Sequence, residues 1–174
     1  MTAGYVAGVS DGGYRRRSAR VLLVDRAGRL LLFQFVDEER PQYRASWLTP
    51  GGGVNPGEEL SQAAARELWE EIGLVVAPPA LGPVVALTSG YVDLGWAVGV
   101  FRDDFFFYRV DRHEVDTSRL DERERRELTG HRWWSIEEMA GTDELIYPFG
   151  LVPLLTDLLA GHIPAEPVRL PWHH

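Results

Sequence analysis

The sequence predicts a mixed α/β fold in which a mixed β-sheet is flanked by helices. Three observations carry that expectation. Two short apolar runs are joined by a glycine-containing turn, a capped amphipathic segment follows a glycine triplet, and a later aromatic strand leads to leucines at helical spacing. The order strands, helix, strands, helices suits a sheet covered by helices.

Residues 1–16 are rich in glycine and arginine with almost no apolar pattern and read as a loose lead-in; Arg15-Arg16-Arg17 could reach a phosphate but is expected to be a solvated arm before the first strand. Ser18 to Val24 has strand length, Asp25-Arg26-Ala27-Gly28 supplies turn chemistry, and Arg29 to Val36 completes a hairpin. After a charged loop from Asp37 to Arg44, Trp47-Leu48-Thr49 is a short strand running into Pro50-Gly51-Gly52-Gly53. A helix follows, with Asn55 expected at its N-cap, Pro56 at the first helical position, Glu58 completing a capping box and Gly73 as the stop. Ala64, Ala65, Leu68 and Ile72 cluster on one side of it. Val84 to Thr88 and Ala97 to Val110 read as strands, and the charged stretch from Arg112 to Thr129 as a loop. Trp133-Trp134 is one more short strand, and Ser135 opens a helix through a capping box with Glu138. Leu151, Leu154, Leu155 and Leu158 mark a last helix, stopped by Gly161. The expected organisation is one domain over 17–163 followed by an extended tail over 164–174.

Composition narrows the chemistry. A chain of 174 residues with 45% hydrophobic and 25% charged residues fits one globular domain. It has no cysteine, which removes disulfides, thiolate metal sites and thiol catalysis. All 18 basic residues are arginine, which removes lysine nucleophiles. No apolar run approaches the roughly 18 residues of a membrane span. The first residues lack the apolar stretch of a secretory signal, so a cytoplasmic protein is expected. The net charge of −8 argues against a large nucleic-acid-binding surface or an anionic membrane as partner.

The chemically informative stretch is Arg66-Glu67-Leu68-Trp69-Glu70-Glu71. With Glu67 at the origin of a helical wheel, Glu70 falls at about 300° and Glu71 at about 40°. The three carboxylates thus share an arc beside the apolar stripe. Such an arc is often only a solvated acidic face. Left alone, three close anions raise one another's pKa, and a divalent cation reverses that penalty. Oxygen ligands without histidine or cysteine favour magnesium or manganese, and magnesium completes its shell with substrate phosphates, so an oligophosphate substrate is expected.

From Gly52 to Leu74, without a gap, Gly52, Glu58, Arg66-Glu67-Leu68, Glu70-Glu71 and Gly73-Leu74 stand in the register of the Nudix box, and the chain resembles the Nudix hydrolase superfamily. That resemblance implies an α/β/α sandwich with a mixed β-sheet. It also implies cleavage of a nucleoside diphosphate linked to another moiety with the help of one or more divalent cations. Carried over by position, Glu67, Glu70 and Glu71 would be metal ligands, and Glu58 and Arg66 would pair to brace the helix. Gly52 and Gly53 would let the backbone approach the metal or phosphates. MutT-type members place a further glutamate six residues before the tryptophan of a W-x-S-hydrophobic segment. Here that tryptophan is Trp133 and the glutamate is Glu127, with Glu124 in reserve. The catalytic set implied is therefore Glu70, Glu71 and Glu127, with the proton acceptor open between Glu127, Glu124 and a box glutamate.

Subfamily signals are thin. Tyr91 stands near a tyrosine of dinucleoside-polyphosphate hydrolases, and Gly90 replaces the proline usual in ADP-ribose pyrophosphatases. Tyr91, Trp96 and Phe105 to Phe107 include candidates for base stacking, although core or dimer contacts account for most such residues. Dinucleoside polyphosphates, nucleotide sugars and nucleoside triphosphates all stay open. The surplus of aromatic strand residues favours a homodimer. The competing reading is a non-catalytic nucleotide-sensing domain, against which the intact carboxylate set argues. Isomerase chemistry of the isopentenyl diphosphate type is removed by the lack of cysteine.

Overall fold

The computed structural model describes residues 13–37, 44–93 and 98–172, and its sheet is organised around β1 (Arg16–Val24). Among these residues nine strands form one mixed sheet. β1 runs parallel to β6 (Val98–Arg109) along its whole length, and β6 pairs antiparallel with β5 (Val84–Asp93). On its other side β1 is shared. Its first half pairs antiparallel with β4 (Gly51–Gly53), Ser18 opposite Gly53 and Arg20 opposite Gly51, and only its end reaches β2 (Leu30–Phe35), Val24 opposite Leu30. β2 also pairs with β3 (Ser46–Leu48) and β7 (Leu128–Trp134). β8 (Leu145–Ile146) lies parallel to β3, and β9 (Val168–Arg169) parallel to β5. The hand-over of β1 from β4 to β2 divides the sheet, and the cavity described below lies at that division.

Alternate side chains of a strand face opposite ways, and β1 uses both faces. Ala19, Val21 and Leu23 join Ala64, Leu68 and Ile72 of α1 (Leu60–Ile72). Leu22 and Val24 join Met139 of α3 (Ile136–Gly141) and the four buried leucines of α4 (Leu151–Leu159). The result is a helix–sheet–helix sandwich. Leu68 and Ile72 are fully buried, and each such side chain contributes about 1.5–3 kcal/mol. Their burial fixes the rotation of α1, and hence the directions in which its glutamates point. Phe105 and Phe106 are buried in opposite cores of this same chain, so much of the aromatic surplus of β6 is used internally. No helix among the described residues is long and apolar enough to cross a membrane.

Four expectations need correction, one of them the extended tail over 164–174, where Val168–Arg169 instead pairs with β5 because its backbone completes that strand's free edge. Asn55 is not a helix cap. Asn55-Pro56-Gly57-Glu58 is a tight turn in which the Glu58 N–H donates to the Asn55 carbonyl at 3.0 Å and Gly57 adopts φ 78°. Proline followed by a positive-φ glycine suits the two central positions of a type II turn, and that preference wins over proline at a helix start. The helix begins behind Glu59, which forms a capping box with Gln62, and ends at Gly73 in the left-handed conformation.

The charged stretch from Arg112 to Thr129 contains α2 (Glu122–Glu127), capped reciprocally by Asp121 and Glu124. None of its residues is buried, so it carries no apolar stripe by which to be recognised. Arg16 and Arg17 are not a solvated arm but the start of β1, and Arg17 holds the buried Asp104 at 2.7 Å, with Arg102 as its second clamp. The lead-in over 1–12, the loop over 38–43, Trp96 and His173-His174 lie outside the described residues.

Candidate functional site

A cavity of about 480 Å³ opens where β1, β4 and β6 meet α1 and α2, a volume typical of small-ligand sites. Its strand floor follows from register. Residues two apart face the same way, so Arg16, Ser18 and Arg20 of β1 stand beside Phe101, Asp103 and Phe105 of β6, and all six line the cavity. Gly51, Gly52 and Gly53 border it on one side, where Glu67 and Glu71 enter from α1. Asp121, Arg123, Glu124 and Glu127 enter from α2 and the residue that caps it.

Glu67 and Glu71 are each 7% exposed. The Gly51 N–H donates to the Glu71 carboxylate at 2.7 Å. The Glu67 carboxylate lies so close to Gly52 that a Cβ there would sit 2.6 Å from its Oε1. Glycine at 52 is therefore the space that this carboxylate occupies. A Cβ on Gly53 would meet nothing within 4 Å; that residue contributes its carbonyl, which accepts from Arg66 at 2.8 Å.

Arg66 is a hub. It donates to Glu58 at 2.9 Å and to Glu67 and Glu70 at 2.8 Å each. These bonds hold the Glu58 carboxyl below the usual carboxylate range and push the guanidinium up. The expected Glu58–Arg66 brace is present, and it extends to two of the three box acids. Glu70 is half-exposed, tied to Arg66 and outside the cavity lining, so the structure brings Glu67 and Glu71 together in the cavity and leaves Glu70 at its margin.

Burial pushes the Glu71 carboxyl up to about 8, with the neighbouring Glu67 adding to the rise. Burial raises Glu67 as well, against the pull of Arg66, with Glu70 and Glu124 adding to the rise. Two buried acids that resist ionisation in each other's presence are a donor set suited to a hard cation. The hydroxyl of Thr49, buried on the cavity wall, has no hydrogen-bond partner. Among the described residues no three acidic or histidine side chains form a ready-made cage. The fit to magnesium or manganese thus lies in the chemistry of the donors and in the glycine-lined space around them.

Of the α2 acids, Glu127 accepts from Arg123 at 2.8 Å with its side chain 25% exposed. Glu124 accepts the Asp121 N–H at 2.8 Å and raises both Glu67 and Glu71, so it stands electrostatically closest to them. Arg16 was weighed as a phosphate contact but expected to be solvated, whereas Arg20, Asp103 and Trp172 are among the lining residues that sequence reasoning did not single out. Arg20 donates to the carbonyls of Thr49 and Gly51 and pairs with Asp103 at 3.6 Å. The period-two alternation of Arg16, Ser18 and Arg20 was the available signal. Of the aromatic residues considered for stacking, Tyr91 is exposed, Phe106 is core, and Phe105 lines the cavity.

A family model described as a NUDIX domain matches residues 14–152. An RNA pyrophosphohydrolase of Roseobacter denitrificans is 45% identical over 58 residues, 33% of this chain and 34% of that protein. One of Serratia proteamaculans is 39% identical over 66 residues, 38% of this chain and 34% of that protein. The chain thus spans about a third of the length of these curated relatives. A MutT protein from Methanosarcina mazei Go1 shares the fold at TM-score 0.58 and 22% identity, over 86% of this chain and 96% of its own. The E. coli dihydroneopterin triphosphate pyrophosphohydrolase does so at TM-score 0.58 and 16% identity, over 83% of this chain and 95% of its own.

Proposed function

The chain belongs to the NUDIX family, and on that premise we propose that it is a metal-dependent pyrophosphohydrolase. Its substrate is a nucleoside diphosphate linked to another moiety, and the bond cleaved is the phosphoanhydride. The observation that carries this reading is the pair of buried carboxylates, Glu67 and Glu71, packed against the Gly51-Gly52 backbone in a cavity that also holds Arg16 and Arg20. The RNA pyrophosphohydrolases that match part of this chain carry a name that denotes pyrophosphate-bond cleavage, which supports the reaction class.

Glu67, Glu70 and Glu71 are the residues that would hold magnesium or manganese, Glu70 being the one now paired with Arg66. Bound there, a divalent cation polarises phosphate oxygens and lowers the pKa of a coordinated water. The backbone of Gly52 and Gly53 leaves room for the phosphates. Arg16 and Arg20 offer positive charge to phosphate oxygens, and guanidinium groups suit such oxygens because several N–H donors lie in one plane. Glu127 is the proposed base that takes the proton of the attacking water, with Glu124 the alternative. The water oxygen bonds to phosphorus, the anhydride P–O bond breaks, and the leaving phosphate departs with the bonding pair.

The test is a panel of nucleoside diphosphate derivatives and nucleoside triphosphates incubated with magnesium, with every product identified. Cleavage at a phosphoanhydride, abolished by excess EDTA and restored by magnesium, is the expected result. Turnover undiminished in excess EDTA would overturn the metal-dependent reading.

A further inference from the structure

Trp172 lines the cavity on the side away from the glutamates, and it belongs to a segment beyond residue 152, where the family match ends. The last part of that segment, 164–174, is expected from sequence to be an extended tail; in the fold it is zipped onto the sheet. Val168 and Arg169 pair with Ala86 and Leu87 of β5, and the Leu170 N–H donates to the Leu87 carbonyl at 2.8 Å. The Leu170 side chain is buried in the α4 core, and the Thr88 hydroxyl donates to the Pro171 carbonyl at 3.3 Å. Successive contacts along β5 deliver the next residue, Trp172, over Gly90.

Gly90 is the seat. A Cβ built there would collide with Cδ1 and Cγ of the indole, so any side chain at 90 displaces the ring. The seated ring packs against Val92 and Phe101 and is half-buried. Phe101 in turn stands beside Arg16, in the strand row Arg16–Phe101–Gly90.

The lateral order of groups across the cavity is now fixed by strand order. The Glu67–Glu71 pair lies at β4, the arginines on β1, Phe101 on β6, and Trp172 over β5. Three strand spacings, about 14 Å, separate the first from the last. Acid, cation and aromatic in that sequence match the parts of a nucleotide laid out as metal-held phosphate, flanking phosphate and base. We propose that Trp172, seated on Gly90 beside Phe101, is the wall on which this chain stacks the nucleobase of its substrate. The proposal rests on the phosphoanhydride-hydrolase reading above and adds a positioning surface to it. Every base has a π-face, so such a wall holds purines and pyrimidines alike.

The experiment is calorimetric titration of the full chain, with magnesium, by ADP and separately by inorganic pyrophosphate. Trp172→Ala is expected to weaken ADP by about 5- to 160-fold, the range of one lost base–aromatic stack, and to leave pyrophosphate unchanged. Trp172→Phe restores most of the loss, and Gly90→Val, which fills the seat, reproduces it; melting temperatures report whether each variant is folded. With the substrate found by the panel, the same variants raise KM and leave kcat near wild type. Equal losses for both ligands would mean that Trp172 only holds the sheet edge, and would overturn the proposal. Undiminished ADP affinity in folded Trp172→Ala and Gly90→Val would overturn it too, while leaving the hydrolase reading intact. A wild-type chain that binds neither ligand defeats both.

Discussion

The two sides of the cavity are built in different ways. The acid side comes from one continuous stretch, Gly51 to Glu71, in which a glycine strand and the helix behind it face each other directly. The opposite side is assembled from Arg16, Gly90, Phe101 and Trp172, which only the register of four strands and the tail brings together. A site made within one segment keeps its spacing in the sequence. A site made by sheet register loses it. On the proposed function the contrast also separates labour: the local side would hold charge for chemistry, and the assembled side would offer the surfaces for the rest of a substrate.

If chemistry belongs to the local side, the largest effect should come from its carboxylates. Glu70→Gln is expected to lower turnover by at least about 100-fold, the scale of losing one preorganised electrostatic contact at a transition state. The informative measurement is kcat beside melting temperature. A variant that loses stability but keeps its turnover would reduce Glu70 to a partner of Arg66, the contact it makes in this structure. Next come the α2 acids, where Glu127→Gln and Glu124→Gln compete. Substitution of the proposed base should cost about 100-fold or more in turnover with magnesium affinity unchanged. If Glu124 rather than Glu127 shows that loss, the proton acceptor is the acid that stands electrostatically closest to Glu67 and Glu71.

A smaller and sharper test lies in the glycines. Gly52→Ala places a methyl group 2.6 Å from the Glu67 carboxylate and should displace it, lowering turnover on the order of tenfold. Gly53→Ala meets no protein atom within 4 Å and leaves Glu67 in place, so crowding of the phosphates should raise KM while kcat stays within about twofold of wild type. Equal effects at both positions, read as kcat under one set of conditions, would break the link between the glycine and the carboxylate.

How much of this was legible follows the same division. Sequence spacing announced the box register and the Gly73 stop, and the resemblance to the Nudix box announced the Glu58–Arg66 pair, all within one short stretch; that Glu67 fills the space over Gly52 appears only in the fold. The helix start was misplaced because proline and glycine have two local preferences, and the turn at Asn55–Glu58 won. α2 was invisible because nothing in it is buried, although its Asp121–Glu124 capping pair was written in the sequence. Arg16 resembled a solvated arm because its neighbours, Phe101 and the rest of β6, lie far along the chain. Trp172 looked like part of a tail because only the fold shows Gly90 beneath it.

The central claim, that the buried carboxylates of α1 exist to hold a cation rather than to stabilise the fold, is tested most directly at Glu71. Its carboxyl is pushed from 4.5 to about 8 by burial and by Glu67. Between those values the folded chain keeps a proton that the unfolded chain has released, so metal-free stability falls as pH rises through that window. Glu71→Gln removes this cost while the amide oxygen can still accept the Gly51 N–H. The measurement is turnover with magnesium, taken together with the metal-free melting temperature at about pH 5 and about pH 9. The predicted result is a turnover loss of at least about 100-fold in a variant that melts like wild type at the lower pH and above it at the higher. Near-wild-type turnover in a Glu71→Gln chain would contradict the account.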